Sequence, residues 1–508
     1  MTETLPVDGR SLTLEHFLAV VRGGCAVSLS PDARPAIAVS RRAVERAVEK
    51  GRPVYGVTTG YGSLSDRTIP ADQARALQLN LVRSHSSGVG PALAPEVVRG
   101  MLLLRLNSLA RGYSGVRPEL LDLIVEVLNR RLVPFVPEQG SVGASGDLAP
   151  LAHLALALVG EGEFVEPGGE RTPSADALRR ASLKPWVLAE KEGVALVNGT
   201  SLMGAYLALG VADAKESLEA AMVAAAMSFD ALLGDPQSLD DRLGEARNLP
   251  EQRQVAESLR RLLDGSALSN ARADYRGQDP YTLRCLPQVF AATALGVAFA
   301  ERVSLAELNA VSDNPLVWEG DEFLNGGNFH GQPLALALDT LALSVQYLAG
   351  FSERRVARLV NPALNRGLPA FLAPTAGLSS GFMIPQYLSA ALVNENQSLV
   401  HPASASSLST SADQEDFVSM GAWAGAKLRR VLANTARVLA VEWVVAAQAL
   451  ELRRPKVGGR GSEAALRGLR ELVPPLSADR PPGPDLERTA AAISDGSLVR
   501  RVRASAPF

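Results

Sequence analysis

Gly140-Ser-Val-Gly-Ala-Ser-Gly-Asp-Leu-Ala-Pro-Leu-Ala-His-Leu154 is the run whose residue types and spacing bear most directly on chemistry. Its simplest reading is a glycine-rich turn leading into a helix, with Asp147 as the cap of Leu148–Val159. A phosphate cradle is a second reading, because Gly140, Gly143 and Gly146 precede a helix start. The run lacks the lysine of a P-loop, however, and it is not G-x-G-x-x-G. A third reading is an internal ring. The amide nitrogen of Gly146 can attack the carbonyl of Ala144 if the chain compresses there, and Gly and Ala at the two ends minimise the steric obstacle. Loss of water closes an imidazolone, and dehydration of Ser145 leaves an exocyclic methylene. The product is a strong electrophile made from the chain itself.

Other runs carry polar groups in glycine-rich or Asn-rich settings. They are Tyr55-Gly-Val-Thr-Thr-Gly-Tyr-Gly62, Ser84-His-Ser-Ser-Gly-Val-Gly90 and Lys191-Glu-Gly-Val-Ala-Leu-Val-Asn-Gly199. Further along come Gln278-Asp-Pro-Tyr-Thr-Leu-Arg-Cys285, Ser312-Asp-Asn-Pro315, Gly326-Gly-Asn-Phe-His330, Gly367-Leu-Pro-Ala-Phe-Leu372 and Gln414-Glu-Asp-Phe-Val-Ser-Met420. In type and order these blocks, from about Tyr55 to Ala422, resemble the histidine/phenylalanine/tyrosine ammonia-lyase family. That family carries 4-methylidene-imidazole-5-one (MIO).

The resemblance implies that Ala144, Ser145 and Gly146 form MIO, that Asp147 assists ring formation, and that no metal or pyridoxal phosphate is needed. It implies that Tyr55 is the base removing the β-proton, although an isolated loop tyrosine is usually an amphipathic surface residue. Arg284, otherwise a solvated helix charge, becomes a bidentate clamp on the substrate carboxylate, a task suited to a planar guanidinium. Tyr281, also implied to be a catalytic residue, would share a helix face with it, three positions earlier. Gln278 and Asn198 fall around the ring or the carboxylate, with plain buried amides as the alternative. Phe329 shapes the cavity or simply packs the core. Asn314 contacts substrate or makes a turn.

The same likeness points to L-histidine as substrate, giving trans-urocanate. His85 would help receive the substrate ring, and Glu415 resembles the histidine-lyase acid that accepts an imidazole N–H. A carboxylate there also disfavours an apolar phenyl ring. Some features depart from the histidine pattern. Phe417 stands where histidine lyases usually have His, Tyr61 replaces a usual Phe, and Asn394-Glu-Asn-Gln397 ends without the common Lys. A tyrosine or phenylalanine lyase and an aromatic 2,3-aminomutase remain alternatives, as does an inactive structural paralogue.

These loops need a rigid frame. Ser201–Leu233, Gln288–Val311, Leu334–Leu359 and Ala422–Arg453 are long, rich in Ala and Leu, and apolar on several sides, which predicts buried helices. Leu77–Ser84 and Val97–Leu109 have helical spacing, and residues 1 to about 50 read as short helices. Strand pairs are expected only near Phe164–Thr172 and Leu316–Leu324. The expected fold is mainly α, a central bundle of long near-antiparallel helices with a loop-rich amino-terminal part. Residues 1–200 would bear the cofactor and residues 201–508 the bundle, in one cooperative unit. The family likeness implies a fumarase/aspartase-like architecture, while the fumarase/aspartase group as a rival enzyme class is disfavoured because its signature Gly-Ser-Ser-x-Met-Pro-x-Lys is not met. It also implies a homotetramer with shared active sites.

The chain has 508 residues, of which 47% are hydrophobic and 21% charged, with a net charge of −3. That balance gives no reason to expect nucleic acid or an anionic membrane as partner. Two distant cysteines, Cys25 and Cys285, fit a reducing compartment. With no basic-then-apolar leader, the expected location is the cytoplasm. None of the five histidines pairs with another at metal-ligand spacing. Lys191 is the only Schiff-base candidate near a motif.

Overall fold

In a computed structural model of the chain, residues 4–269, 277–375 and 377–508 are described. They form two compact units. The first comprises Met1–Leu209, Glu301–Asp339 and Pro402–Ala426; the second comprises Gly210–Ala300, Thr340–His401 and Lys427–Phe508. The 1–200 region therefore lies wholly in the first unit, which also takes in two later segments. One of those segments carries Glu415.

The first unit is helical with short strand pairs at its loops. Helices Ala74–His85, Pro95–Ala110 and Leu148–Leu158 fall where the periodicity predicts them. Pro95–Ala110 has no polar face, because nearly every residue after its first turn is buried. The polar groups on it bond inward. Arg99 donates to the carbonyls of Val20 (2.6 Å), Val21 (3.3 Å) and Leu128 (3.2 Å), at the carboxyl ends of two neighbouring helices. Strands Glu163–Val165 and Arg171–Pro173 pair antiparallel, as do Leu316–Trp318 and Glu322–Leu324, at the two expected places. One pair is new. Leu5–Val7 lies parallel to Val27–Leu29, within the stretch expected to be only helical. Strands of three residues are too short to show an alternating pattern.

Four described helices exceed twenty residues: Ser201–Ala231, Leu286–Leu308, Gln332–Val360 and Gly421–Leu452. Two of them, Leu286–Leu308 and Gln332–Val360, also have the length and apolarity of a membrane span. In the second unit these helices pack around one large apolar core with Arg460–Arg470 and the last two helices. Their directions are mixed rather than wholly antiparallel. Gly296 meets Ser344 and the Arg355 guanidinium lies 5.7 Å from the Phe290 ring, so those two helices oppose each other. Asp213 pairs with Arg429 and Ser228 with Glu442, so the first and last long helices run the same way. Parallel neighbours need long connections, and the chain between residues 231 and 421 supplies one.

The core of the second unit holds a fully buried ion pair. Arg355 donates through Nε (2.5 Å) and Nη2 (2.8 Å) to Glu442, which also accepts from Ser228 Oγ (2.6 Å). Removing one partner strands the other charge away from water, at a cost of about 3–5 kcal/mol. Glu442→Ala should therefore lower stability in denaturant titration by about that amount, while Arg355→Met with Glu442→Leu should recover most of it. A double variant no better than Glu442→Ala would show that the pair does more than neutralise itself.

Candidate active site

Tyr55, His85, Ser145, Asn198 and Glu415 line one cavity of about 700 Å³ in the first unit. They come from four loops and a helix end far apart in sequence. Ser145 projects from the 140–147 loop, which is held by backbone contacts. Ser419 Oγ donates to the Gly143 carbonyl (3.0 Å), and the Met420 N–H donates to the Val142 carbonyl (2.8 Å). Gly143 is in the left-handed region at φ +67°, and a Cβ there would stand 2.2 Å from Ser419 Oγ. Gly146, at φ +77°, pairs with Gly199, and its Cβ would stand 2.1 Å from the Gly199 carbonyl oxygen. Only glycine fits at such a bend against another backbone.

The Ser145 hydroxyl donates to Glu415 Oε1 (2.6 Å), and Thr410 Oγ1 donates to Glu415 Oε2 (2.7 Å). The loop that carries Glu415 is closed by the Thr410–Glu415 backbone pair. Ser411, Ala412 and Asp413 within it all have positive φ. Three successive non-glycine residues in that region are strained, a condition that persists only where the surroundings impose it. Across the cavity the Gly62 N–H donates to Tyr55 Oη (2.9 Å). Tyr61, edge-on to Tyr55 at 6.5 Å, accepts from Gln78 Nε2 (2.9 Å). Burial raises the pKa of Tyr61, so it stays a neutral phenol. His85 Nδ1 lies 3.0 Å from Ser84 Oγ. Burial lowers the His85 pKa, against the opposing pull of Glu415, and the ring stays neutral near pH 7. Asn198 is buried with its Oδ1 unpartnered among the described residues. A buried acceptor without a partner is uncommon and costly.

The family model for aromatic amino acid lyases matches residues 12–471. The chain belongs to that family. It is 51% identical to a histidine ammonia-lyase of Symbiobacterium thermophilum over 499 residues, 98% of each chain. The histidine ammonia-lyase of Trypanosoma cruzi superposes with a TM-score of 0.92 at 39% identity, covering 99% of this chain and 96% of that one. The tyrosine aminomutase of Streptomyces globisporus superposes with a TM-score of 0.94 at 36% identity, covering 100% and 99%. The chain is thus a carbon–nitrogen lyase of a mainly helical fold.

Other residues expected at an aromatic amino acid lyase site lie elsewhere in this single chain. Gln278, Tyr281 and Arg284 are in the second unit. Tyr281–Arg284 is one helical turn, and the guanidinium of Arg284 sits 4.6 Å from the Tyr281 ring centroid, so the two do share a face. Gln278 and Arg284 line a cavity of about 830 Å³ that shares no lining residue with the Ser145 cavity. Arg284 Nε is buried without a partner among the described residues. Asn314 is buried, and its Oδ1 accepts from the Gly326 N–H (2.7 Å), the arrangement of a loop lock. Phe329 is half-buried and outside the cavity lining. Phe417 stacks on His330 at 6.1 Å and is exposed. Lys191, the one Schiff-base candidate, is fully buried and bonded to Asp313 (2.7 Å).

The expected cap is corrected. Asp147 does occupy the position before Leu148–Leu158, but its carboxylate makes no bond to that helix. Its Oδ2 instead accepts from the N–H groups of Leu202 (2.9 Å) and Met203 (3.1 Å), at the start of Ser201–Ala231. The aspartate therefore caps a helix distant in sequence, whose unsatisfied N–H groups point at it. Sequence reasoning also missed Thr410, which holds Glu415, and Gln78, which holds Tyr61. Neither lies in a recognisable block. It missed Arg105 as well, for which one signal existed: a charge in the middle of an apolar helical run.

Burial pushes the Asp147 carboxyl up to about 7 from 3.8, against the lowering effect of the Met203 and Leu202 N–H groups. Glu307, which accepts from Thr200 Oγ1, is likewise pushed up to about 7 by burial. A folded chain that holds these protons more tightly than the unfolded chain loses stability as pH rises from about 4 to about 7, and changes little above that. Asp147→Asn keeps an acceptor oxygen and removes the charge. Its melting temperature should fall less than that of wild type across this range, with Glu307 keeping its share. A melting profile identical to wild type at every pH would contradict this assignment.

Proposed function

We propose that this chain eliminates ammonia from L-histidine to give trans-urocanate, using an MIO group formed from Ala144, Ser145 and Gly146. The observation that carries the reading is the cavity in which Ser145, Tyr55, His85 and Glu415 meet. The names of the most similar relatives point the same way. The chain's own residues fit the group: Gly146 is bent tightly against Gly199, and Asn198 lines the same cavity as Ser145. Once formed, the ring supplies an electrophilic carbon that makes the substrate's amine a leaving group.

The remaining work falls to side chains. Tyr55 Oη, with the Gly62 N–H donating to it, takes the β-proton. Glu415, oriented by Thr410, accepts a hydrogen bond from an imidazole N–H, and neutral His85 packs against the ring of the substrate. Arg284 holds the substrate carboxylate in a forked pair, with its guanidinium oriented on the Tyr281 ring. Gln278 serves the same end of the substrate. The family likeness supports sites shared between copies in a homotetramer, with Arg284 of one copy serving Ser145 of another. The residues outside the cavity, Asn314 and Phe329, act by holding and covering the loops. An aminomutase outcome uses the same cavity and is the second reading, because one structural relative is a tyrosine aminomutase.

The deciding experiment incubates the protein with L-histidine, L-tyrosine and L-phenylalanine separately, following near-UV absorbance and ammonia release. A conjugated product and ammonia from histidine alone are expected. Turnover of tyrosine or phenylalanine with none of histidine would reject the substrate assignment, and a rearranged amino acid without ammonia would establish the second reading. Glu415→Gln should reduce kcat/KM for histidine about tenfold or more by weakening a charge-assisted hydrogen bond. Any residual activity on tyrosine should fall less, and an equal fall on both would remove the imidazole contact.

Sharing of sites has its own test. Tyr55→Phe and Arg284→Met should each be nearly inactive alone, and chains of both kinds assembled together should regain activity, because some sites then combine an intact Tyr55 with an intact Arg284. Mixed assemblies no more active than either variant would place both residues in one chain's site.

A further inference from the structure

Arg105 has no part in the reaction described above, yet it is completely buried in the Pro95–Ala110 helix. Enclosing a guanidinium costs several kcal/mol unless it is paired and fully hydrogen-bonded. Arg355 meets that cost with two donors on one carboxylate, its Nη1, like Arg105 Nε, being without a partner among the described residues. Arg105 is different. Its Nη1 donates to the backbone carbonyl of Asn198 (2.6 Å), its Nη2 donates to Ser108 Oγ (2.8 Å), and its Nε is unpartnered among the described residues. Asp313 and Glu307 oppose the cost of burying its charge from nearby, and Asp313 is itself bonded to Lys191.

What the guanidinium grips is the peptide leading into Gly199. A Cβ at Gly199 would stand 2.4 Å from Arg105 Nη1 and 2.8 Å from Ser312 Oγ, so the two side chains fill the space that a side chain would take. On its other side Gly199 pairs with Gly146, and its carbonyl accepts the Asp147 N–H (2.7 Å). Arg105 is therefore one carbonyl away from the backbone against which Gly146 is bent.

We propose that Arg105 is a positioning residue for cofactor formation: by clamping the Asn198–Gly199 peptide it holds Gly199 as the rigid surface that keeps Gly146 in the course needed for ring closure. This rests on the reading that Ala144, Ser145 and Gly146 cyclise. In that step the Gly146 nitrogen bonds to the Ala144 carbonyl carbon and its proton passes to the carbonyl oxygen. That oxygen then leaves as water with the Ser145 amide proton, and a C=N bond remains. A second water takes the Ser145 hydroxyl and α-proton and leaves the methylene. Arg105 acts on these atoms only through Gly199. Holding reacting groups close is worth large rate factors even without contact at the reacting centre.

The test follows intact mass and near-UV absorbance of the full chain at intervals after cell-free synthesis, for wild type, Arg105→Lys, Arg105→Met and Ser108→Ala. Folding of each is checked by thermal melting. Wild type should lose the mass of two waters. Folded Arg105→Met should retain them, or lose them at least about tenfold more slowly, as expected on losing a charged hydrogen bond. Arg105→Lys and Ser108→Ala should fall between.

A merely structural role would lower the melting temperature and leave the dehydration rate of folded chains unchanged, and that result overturns the proposal. If Arg105→Met does not fold, the other two variants decide, and wild-type rates in both also overturn it. A wild type that keeps both waters would overturn the cofactor reading itself, an outcome distinct from a dehydrated wild type with equally dehydrated variants.

Discussion

Two glycine backbones in contact, Gly146 and Gly199, set the terms for the rest of the first unit. Neither position tolerates a side chain, because the nearest atoms already stand at contact distance. Backbone laid on backbone has no packing of its own to stabilise it, so its polar groups must be satisfied locally. The structure meets that demand from both sides. The Gly199 carbonyl accepts the Asp147 N–H, and the Asp147 carboxylate accepts the first N–H groups of the Ser201–Ala231 helix. The loop bearing Ser145 is thereby tied to the start of one of the longest helices, which gives it a rigid base.

Behind this contact lies a layer of charge: Arg105 and the Lys191–Asp313 pair, all buried, with Glu307 half-buried beside Thr200. In front lies the cavity, with Tyr55, His85 and Glu415 half-buried on its wall. The two sides obey different physics. Behind, low polarisability makes each hydrogen bond strong and each unpaired group costly, so that layer fixes geometry. In front, groups with spare hydrogen-bonding capacity face an open volume, so that wall can receive a ligand. Glu415 belongs to both descriptions, since it is locked by Thr410 and still reaches Ser145.

The second unit solves another problem. Its helices are apolar around most of their circumference and are joined into one core, with Arg355 and Glu442 as an internally neutral exception. Arg284 and Gln278 line a second cavity there, and Tyr281 sits on the same helical turn as Arg284.

The sequence by itself determined the long helices, because uninterrupted Ala- and Leu-rich segments have few other ways to bury themselves. It also determined the two strand pairs flanked by turn residues. What it could not determine was which distant segments touch. Asp147 reads as the cap of the helix that follows it, yet it caps one that begins more than fifty residues later. Arg105 reads as an anomaly in an apolar run, yet it meets Asn198. Thr410 has no motif at all, yet it orients Glu415. Three-residue strands near the amino terminus carry no period to read. Local pattern records what one segment needs, whereas the partner that meets the need is chosen by packing over the whole unit, and only the tertiary structure decides that.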